Sequence, residues 1–389
     1  MAGLLSKDRI VAPADYNRWR VPVASVAIHL CIGSVYAWSI YNPPLTRVYG
    51  VVTSAADDWS LSAVVWVFTV AIVSLGLAAA FAGKWLEEAG PRKVGVVAAC
   101  CWGGGYIIGA IGILTHQLWL LYLGYGVIGG IGLGMGYVSP VSTLIRWFPD
   151  RRGMATGMAI MGFGGGAMIG TPMKEFFIRT FYRAPECLGT VADVDLVTEA
   201  GRRFAEIGGS LKEVVVIGAA EIRDMTVPGP EGVYVVQTGA VGVAEAFLVI
   251  GLIYLVVMLL AAFSYRIPAE GWKPSGWEEP RDQERGALIS SHNVHIDEAL
   301  KTRQFYQLWL VLCFNVTAGI GVLGVARTMI TEIFGSSLPQ VVDTAFAATY
   351  VIMISAFNMV GRFIWASASD YIGRRNTYWI FFALGIVLY

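Results

Sequence analysis

Residues 83–94, "GKWLEEAGPRKV", share a pattern with residues 366–377, "ASASDYIGRRNT". Each stretch follows a long apolar run and places an acidic residue three positions before a glycine, with basic residues just after it. The matching positions are Glu87, Gly90, Arg92 and Lys93 in the first copy, and Asp370, Gly373, Arg374 and Arg375 in the second. Glycine permits a tight turn, and the acid can cap or pair with basic groups at a neighbouring helix end. Two such copies predict a duplicated transporter with parallel halves, in which both turns act as gating loops.

The apolar runs around these turns predict the fold class. Apolar residues make up 56% of the 389 residues and charged residues only 14%, unlike an ordinary soluble domain. Runs of about 20 apolar residues can cross a bilayer, and in lipid the backbone must then be helical. We therefore predict an all-α multispan membrane protein. The predicted full spans are eight, at 21–45, 60–84, 94–115, 118–146, 153–179, 240–264, 305–330 and 341–366.

A ninth apolar run starts at Thr377 and reaches Tyr389, the last of its 13 residues, so it is too short to span. We expect the chain to be a C-terminally truncated part of a longer protein. The predicted segments are a cytoplasmic N-terminus (1–20), an N-terminal six-helix half (21–264) with an extracytoplasmic insertion (181–238), a cytoplasmic linker (265–303) and an incomplete C-terminal half (304–389). Lys and Arg in alternate short loops place the N-terminus in the cytoplasm and suit a plasma or inner membrane.

Within the insertion, the pattern predicts a helix near 194–207 and a small hairpin built from "KEVVVIG" and "GVYVVQTG". The dense glycines of spans three to five predict close helix packing. One of these stretches, "GYGVIG" at 124–129, matches a nucleotide-binding pattern, but it lies inside a span and follows no strand.

Charge and motif content argue against several functions. The 28 basic and 28 acidic residues balance, so overall charge indicates no nucleic-acid partner. The chain contains no Ser-His-Asp, Cys-His or zinc-ligand arrangement. We therefore predict no enzyme activity, no catalytic residue, no metal and no cofactor.

Arg362 is the most informative charged residue inside a span. It lies eight positions before Asp370, or about 12 Å inward from it at ~1.5 Å per residue, near the middle of a core ~30 Å thick. A cation there is costly unless it faces a cavity and meets an anion. A guanidinium can bind a carboxylate through two parallel hydrogen bonds, so we predict a substrate contact. The alternative is that Arg362 extends to the cytoplasmic surface.

Four stretches carry a family resemblance: "GSVYAWSIYNPPL" (33–45), "GYVSPVSTLIRWFPDRRGMATGMAIMGFGGGA" (136–167), "LKTRQFYQLWLV" (300–311) and "NMVGRFIWASASDYIGRR" (358–375). With the two turns, they resemble the major facilitator superfamily, a twelve-helix fold of two six-helix halves, and within it the oxalate/formate antiporter family. The resemblance covers nearly all of the chain except the insertion. The first turn departs from the superfamily pattern at Glu87, Glu88 and Pro91, which we expect to affect gating more than fold.

The resemblance implies that Arg362 holds one carboxylate of the substrate and that a Lys in span eleven, which this chain does not reach, holds the other. It also implies that Tyr36, Tyr137 and Phe163 line the cavity, although each could equally be an ordinary packing residue. Phe163 stands where the dicarboxylate carrier has Tyr, which weakens the case for oxalate itself.

These observations predict a secondary transporter that moves small organic anions such as oxalate and formate by alternating access, with antiport as the expected mode. We expect a monomer in the lipid bilayer, with protons as a further transported partner. The alternatives are a proton-coupled monocarboxylate carrier, since one cation suits one carboxylate, and a non-transporting anion sensor that uses the insertion for docking. Among the other ionisable residues, His29 can carry a proton or be a packed neutral ring. We expect Lys174, Glu175 and Arg327 to meet water near outer helix ends.

Overall fold

The computed structural model describes residues 3–219, 221–222, 225, 227–277 and 294–388. Its long helices, in chain order, are α1 (Val21–Gly33), α2 (Leu61–Ala89), α3 (Pro91–Leu114), α4 (Gly130–Trp147), α5 (Arg152–Phe181), α6 (Val243–Ser264), α7 (Arg303–Phe334), α8 (Thr344–Ile372) and α9 (Arg374–Leu388). A 3-10 segment, Ser34–Ile40, and a short helix, Asn42–Leu45, continue the first span. A short helix, Leu118–Leu121, and a π-helical segment, Tyr122–Gly129, precede α4 in the fourth span.

The membrane-spanning architecture is confirmed. Within the described ranges, seven helical segments are long and apolar enough to cross a membrane, and they contain α1, α2, α3, α4, α6, α7 and α8. The remaining predicted span, 153–179, forms the 30-residue helix α5, which has the length but not the apolar composition. It is rich in glycine and carries Lys174, Glu175 and Arg179. Because α5 packs between α1 and α8, much of its surface meets protein and not lipid.

The two charged turns have the same backbone conformation. Gly90 ends α2 with φ 83° and ψ 157°, and Gly373 ends α8 with φ 84° and ψ 148°. A side chain would strain this positive-φ conformation, which glycine adopts freely. The next helix begins at once after each glycine, at Pro91 and at Arg374. The sequence similarity of the two stretches therefore corresponds to one repeated turn geometry.

Glycines on α5 bring α8 unusually close. A Cβ atom added at Gly153 would lie 2.4 Å from the carbonyl oxygen of Ala366, and one at Gly157 would lie 3.0 Å from the Cβ of the same residue. A Cβ atom added at Gly164 would lie 2.7 Å from Oδ1 of Asn358. Small residues permit such close contact between helices in lipid. As the sequence predicted, these glycines permit close helix packing, here between α5 and α8, the helix that carries Arg362.

The insertion is a five-stranded antiparallel sheet. Its strands are β1 (Cys187–Gly189), β2 (Leu196–Glu199), β3 (Arg202–Ile207), β4 (Ser210–Ile217) and β5 (Gly232–Val235), in the spatial order β1-β5-β4-β3-β2. The predicted pairing of "KEVVVIG" with "GVYVVQTG" is confirmed by β4 and β5.

The helix predicted near 194–207 is wrong, because this stretch forms β2 and β3. Ala200 and Gly201 join the two strands with φ values of 48° and 79°. Two successive positive φ values characterise a tight two-residue hairpin turn, whose twist suits antiparallel strands. Ala rarely adopts this conformation, so the turn gave only a weak signal in the sequence.

The predicted linker, 265–303, falls partly outside the described residues, because 278–293 are not described. Before α7, the chain forms the single helical turn Ile296–Ala299. The α7 helix then begins after Thr302, whose side chain accepts a hydrogen bond from the backbone N–H of Phe305. This cap satisfies one of the free donors at the helix start.

Candidate functional site

The four residues predicted to bind substrate lie together. Arg362 is carried by α8, Tyr36 by the 3-10 segment of the first span, Tyr137 by α4 and Phe163 by α5. The guanidinium carbon of Arg362 lies 5.7 Å from the ring centre of Phe163. Its Nη2 donates a hydrogen bond to the hydroxyl of Tyr36 at 3.4 Å. Residues separated by up to 326 positions thus meet at the contact between the two predicted halves.

Phe163 is the centre of the aromatic group. Its ring centre lies 4.9 Å from that of Tyr36 and 5.1 Å from that of Tyr137, with interplanar angles of 79° and 85°. Edge-to-face contacts of this kind are favourable and hold the rings in fixed orientations. Tyr36 and Phe163 are buried, and Tyr137 is partly buried. The three rings therefore form a wall of fixed shape beside the guanidinium.

Asn358 is a site residue that the sequence analysis missed. Its Oδ1 accepts a hydrogen bond from Nε of Arg362 at 2.5 Å. The sequence could have revealed this residue, because Asn358 lies four positions before Arg362 and residues four apart lie on one face of a helix. Among the described residues, the guanidinium contacts the Asn358 amide, the Tyr36 hydroxyl and the Phe163 ring, which are all neutral. A partly buried cation among neutral groups favours the binding of an anion.

His29 is buried beside the aromatic wall. Its ring centre lies 5.4 Å from that of Tyr137 and 6.3 Å from that of Phe163. Nδ1 lies 3.2 Å from the carbonyl oxygen of Ser25, an acceptor, so Nδ1 carries the proton there and Nε2 is the free acceptor. Nε2 has no hydrogen-bond partner among the described residues. In those same ranges no group of three or more His, Cys, Asp or Glu is arranged to hold a metal ion.

The second charged turn joins α8 to the start of α5. The two carboxylate oxygens of Asp370 accept hydrogen bonds from the backbone N–H groups of Gly153 and Met154, both at 2.9 Å. Arg374 donates to the same carboxylate at 2.6 Å and also contacts Ser369. A carboxylate at the start of a helix satisfies free donors and suits the positive end of the helix dipole.

The first charged turn is anchored differently. Glu87 pairs with Arg146 at the end of α4, and its carbonyl oxygen accepts a hydrogen bond from Lys7 at 2.6 Å. Arg92 donates to the carbonyl oxygens of Leu4 and Tyr265, at 3.2 and 3.3 Å. These contacts join residues between Leu4 and Tyr265, from the N-terminal segment to the start of the linker. The remaining basic residues of the two turns, Lys93 and Arg375, are exposed.

The structure does not place Lys174 and Arg327 in water at outer helix ends, where the sequence led us to expect them. Lys174 is 0% exposed. Long side chains on a helix point back toward its N-terminus, so the Lys174 side chain turns away from the helix end and into the protein. Arg327, whose side chain is 15% exposed, pairs with Glu175 at 3.3 Å and thereby links α7 to α5.

Comparisons with known proteins agree with this architecture. A model of the Major Facilitator Superfamily matches residues 23–185. The chain is 29% identical over 160 residues to the uncharacterized MFS-type transporter YhjX of Escherichia coli (strain K12), which is 41% of this chain and 37% of that protein. It is 23% identical over 398 residues to apicoplast pyruvate carrier 1 of Toxoplasma gondii (89% of this chain, 66% of that one). It is 25% identical over 374 residues to the oxalate:formate antiporter of Oxalobacter formigenes (96% and 68%). The chain thus spans about two thirds or less of the length of these relatives.

Proposed function

We propose that the chain is a member of the major facilitator superfamily, whose model matches residues 23–185, and that the protein is a secondary transporter that moves small carboxylate anions across a membrane by alternating access. The observation that carries this proposal is the position of Arg362. Its guanidinium lies at the contact between helices of the two halves, partly buried and surrounded by neutral groups. A carboxylate bound beside the guanidinium would supply a negative charge that balances Arg362.

The geometry suggests how a carboxylate would be held. The guanidinium offers parallel N–H donors that match the two oxygens of a carboxylate. The Tyr36 hydroxyl can rotate to donate a third hydrogen bond. The rings of Phe163 and Tyr137 limit the space beside the guanidinium, which favours a small anion over a bulky one.

We propose oxalate, formate or a closely related carboxylate as substrate and exchange as the mode of transport. Two relatives are named as an oxalate:formate antiporter and a pyruvate carrier, and both align over most of this chain. Exchange also has a physical reason. Carrying an unpaired guanidinium through the occluded state costs at least a few kcal/mol, whereas a bound carboxylate neutralises it. The loaded protein should therefore change conformation more readily than the empty one.

A proton-coupled monocarboxylate carrier is the second candidate, and His29 is the observation that favours it. Its Nε2 is buried without a hydrogen-bond partner among the described residues, next to the aromatic wall. Because the ring is buried near another cation, a proton would bind there only together with an anion that offsets both positive charges. Proton release would then accompany anion release.

The proposed arrangement in the membrane follows from the loop charges. We place the N-terminus and both charged turns on the cytoplasmic side of a plasma or inner membrane, with the sheet insertion outside. The Asp370 contact with α5 would then close the cytoplasmic end, and it would break when that end opens. We expect the carrier to act as a monomer.

Counterflow of labelled oxalate into liposomes loaded with oxalate or formate tests the proposal. Arg362→Gln should abolish uptake, because the amide keeps a donor but removes the charge. Arg179→Gln, which removes an exposed cation from α5, is the matched control and should leave uptake intact. Uptake unaffected by Arg362→Gln contradicts the proposed site. Uptake of pyruvate or formate only with an inward proton gradient favours the second candidate, and binding without flux favours a sensor.

A further inference from the structure

Lys174 is a buried cation that the proposed site does not use. Its Nζ donates hydrogen bonds to the carbonyl oxygens of Ser34 at 2.7 Å and Ala37 at 3.2 Å. It also lies 4.4 Å from the ring centre of Tyr41. These three contacts are with neutral groups, and the lysine is 0% exposed. An ammonium group in such a place needs a structural or functional reason, since burial of a charge is costly.

The carbonyls that Lys174 contacts belong to a break in the first span. The α-helix α1 ends at Gly33 and continues as the 3-10 segment, in which Ala37 has non-helical angles (φ −93°, ψ 26°). A break disturbs the i→i+4 hydrogen bonds of a helix, so its backbone carbonyls can turn toward donors on a neighbouring side chain. Buried carbonyls must find other donors, and an ammonium offers three N–H groups from one side chain. Lys174 therefore holds the break in its observed form.

Tyr36 lies between the two clamped carbonyls, those of Ser34 and Ala37. We propose that Lys174 is a positioning residue, which fixes the broken segment so that the Tyr36 hydroxyl stays beside Arg362. The geometric part of this inference is independent of transport, and its effect on affinity rests on the proposed function. Through Lys174 and Phe163, a single helix, α5, sets both the backbone of Tyr36 and the ring that packs against it.

The crossing of α1 and α5 explains how the lysine can reach the break. A Cβ atom added at Gly33 would lie 2.1 Å from the carbonyl oxygen of Phe163, and one at Gly170 would lie 3.0 Å from the Cβ of Ser34. The two backbones are thus in direct contact just before the break. The lysine side chain, four residues after Gly170, then extends along this contact to the carbonyls of Ser34 and Ala37.

Amide hydrogen exchange of the full-length protein in detergent tests the clamp directly. In Lys174→Met, which keeps the apolar length and removes the donors, peptides covering 33–41 should exchange about tenfold faster or more. Arg179→Met on the same helix is the control and should leave these peptides unchanged. If the methionine variant does not reach the membrane, Lys174→Gln replaces it, with an expected increase of about threefold because the amide keeps two donors. Exchange of 33–41 at the parent rate overturns the inference.

A double-mutant cycle with Tyr36→Phe tests the positioning role. Lys174→Met should raise the KM for labelled oxalate, formate or pyruvate about tenfold, with less than about a twofold change in maximal rate. If Lys174 acts through Tyr36, the double variant should be no worse than Tyr36→Phe alone, whereas additive losses overturn the positioning role. A parent protein that moves none of the three anions contradicts the proposed function, while the exchange experiment still decides the clamp.

Discussion

Asn358 holds the Arg362 guanidinium in place without cancelling its charge. The amide accepts a hydrogen bond from Nε, which leaves the outer N–H groups of the guanidinium for Tyr36 and for a bound anion. A carboxylate at this position would occupy the guanidinium permanently and compete with substrate. The neutral side chain is therefore a requirement of the proposed site, and not an arbitrary polar residue.

Two variants of Asn358 separate charge from hydrogen bonding. Asn358→Asp should reduce carboxylate uptake more than about tenfold, because the new anion pairs with Arg362 four residues away. Asn358→Leu also loses the hydrogen bond but adds no charge, so its loss should be clearly smaller. Initial uptake rates in liposomes, corrected for the amount of reconstituted protein, provide the measurement. Equal losses in the two variants would show that competition by charge is unimportant.

Helix α5 connects the parts of the site. Its glycines admit α8 on one side and the first span on the other, and its first N–H groups are held by Asp370. The same helix carries Phe163 near its middle and Lys174 toward its end. A change in the position of α5 must therefore alter the Asp370 contact and the surroundings of Arg362 together.

Asp370→Asn tests the contact between α8 and α5. The amide keeps the shape of the side chain but loses the charge that suits a helix start, at a cost of about 0.5–2 kcal/mol. We expect amide exchange at the beginning of α5 to become faster by roughly twofold to thirtyfold, as that free energy implies. Arg375→Gln, a change to an exposed residue of the same turn, should leave this exchange unchanged. If amide exchange at the beginning of α5 stays as slow in Asp370→Asn as in the parent, other contacts hold this part of the helix.

Contacts tie the two halves at both ends of α5, and the insertion is fixed to the N-terminal half. Near the predicted extracytoplasmic end, Glu175 on α5 pairs with Arg327 on α7. The sheet docks on the loop after the first span, where Arg202 of β3 donates two hydrogen bonds to Asp57, at 2.8 and 2.6 Å. The structure thus combines contacts between the predicted halves, which would have to break in the proposed transport cycle, with a sheet that is docked on the N-terminal half.

The docking of the sheet should depend on pH only in strong acid. Hydrogen bonds from Arg202 lower the pKa of the Asp57 carboxyl below its ordinary value. Because the pKa of Asp57 is lower in the docked form, its ionised carboxylate stabilises docking at pH values above the ordinary carboxyl pKa of about 3.9. This stabilisation is lost as the pH falls through the lower pKa of the docked form. Limited proteolysis of the insertion should therefore be constant from about pH 5 to 8 and increase below about 4.

Arg202→Gln removes the docking pair and should make the insertion sensitive to protease throughout this pH range. Arg203→Gln is the matched control, since the neighbouring arginine is exposed on the same strand. If Arg202→Gln is as resistant as the parent, apolar contacts such as those of Val52 with the sheet carry the docking alone.

The sequence predicted the helical spans and the cluster of Arg362 with Tyr36, Tyr137 and Phe163, although their role in binding stays a prediction. It missed Asn358, because an amide four residues from an arginine is common on helices. It also placed Lys174 in water, since distance from the helix end was the available guide. The strands at 196–207 were mistaken for a helix, because the turn at Ala200 and Gly201 has a weak signature.

The length of apolar runs and the position of charges along them are local properties, so the amino-acid sequence was sufficient to establish a multispan helical protein with a repeated charged turn. Side-chain direction and the neighbours of a buried charge are not local. Lys174 finds its acceptors 140 and 137 positions away, and Arg362 reaches Tyr36 across 326 positions. These contacts exist because glycines let three helices meet at close range. The folded arrangement was therefore needed to identify the neutral surroundings of Arg362 and the clamped break beside Tyr36.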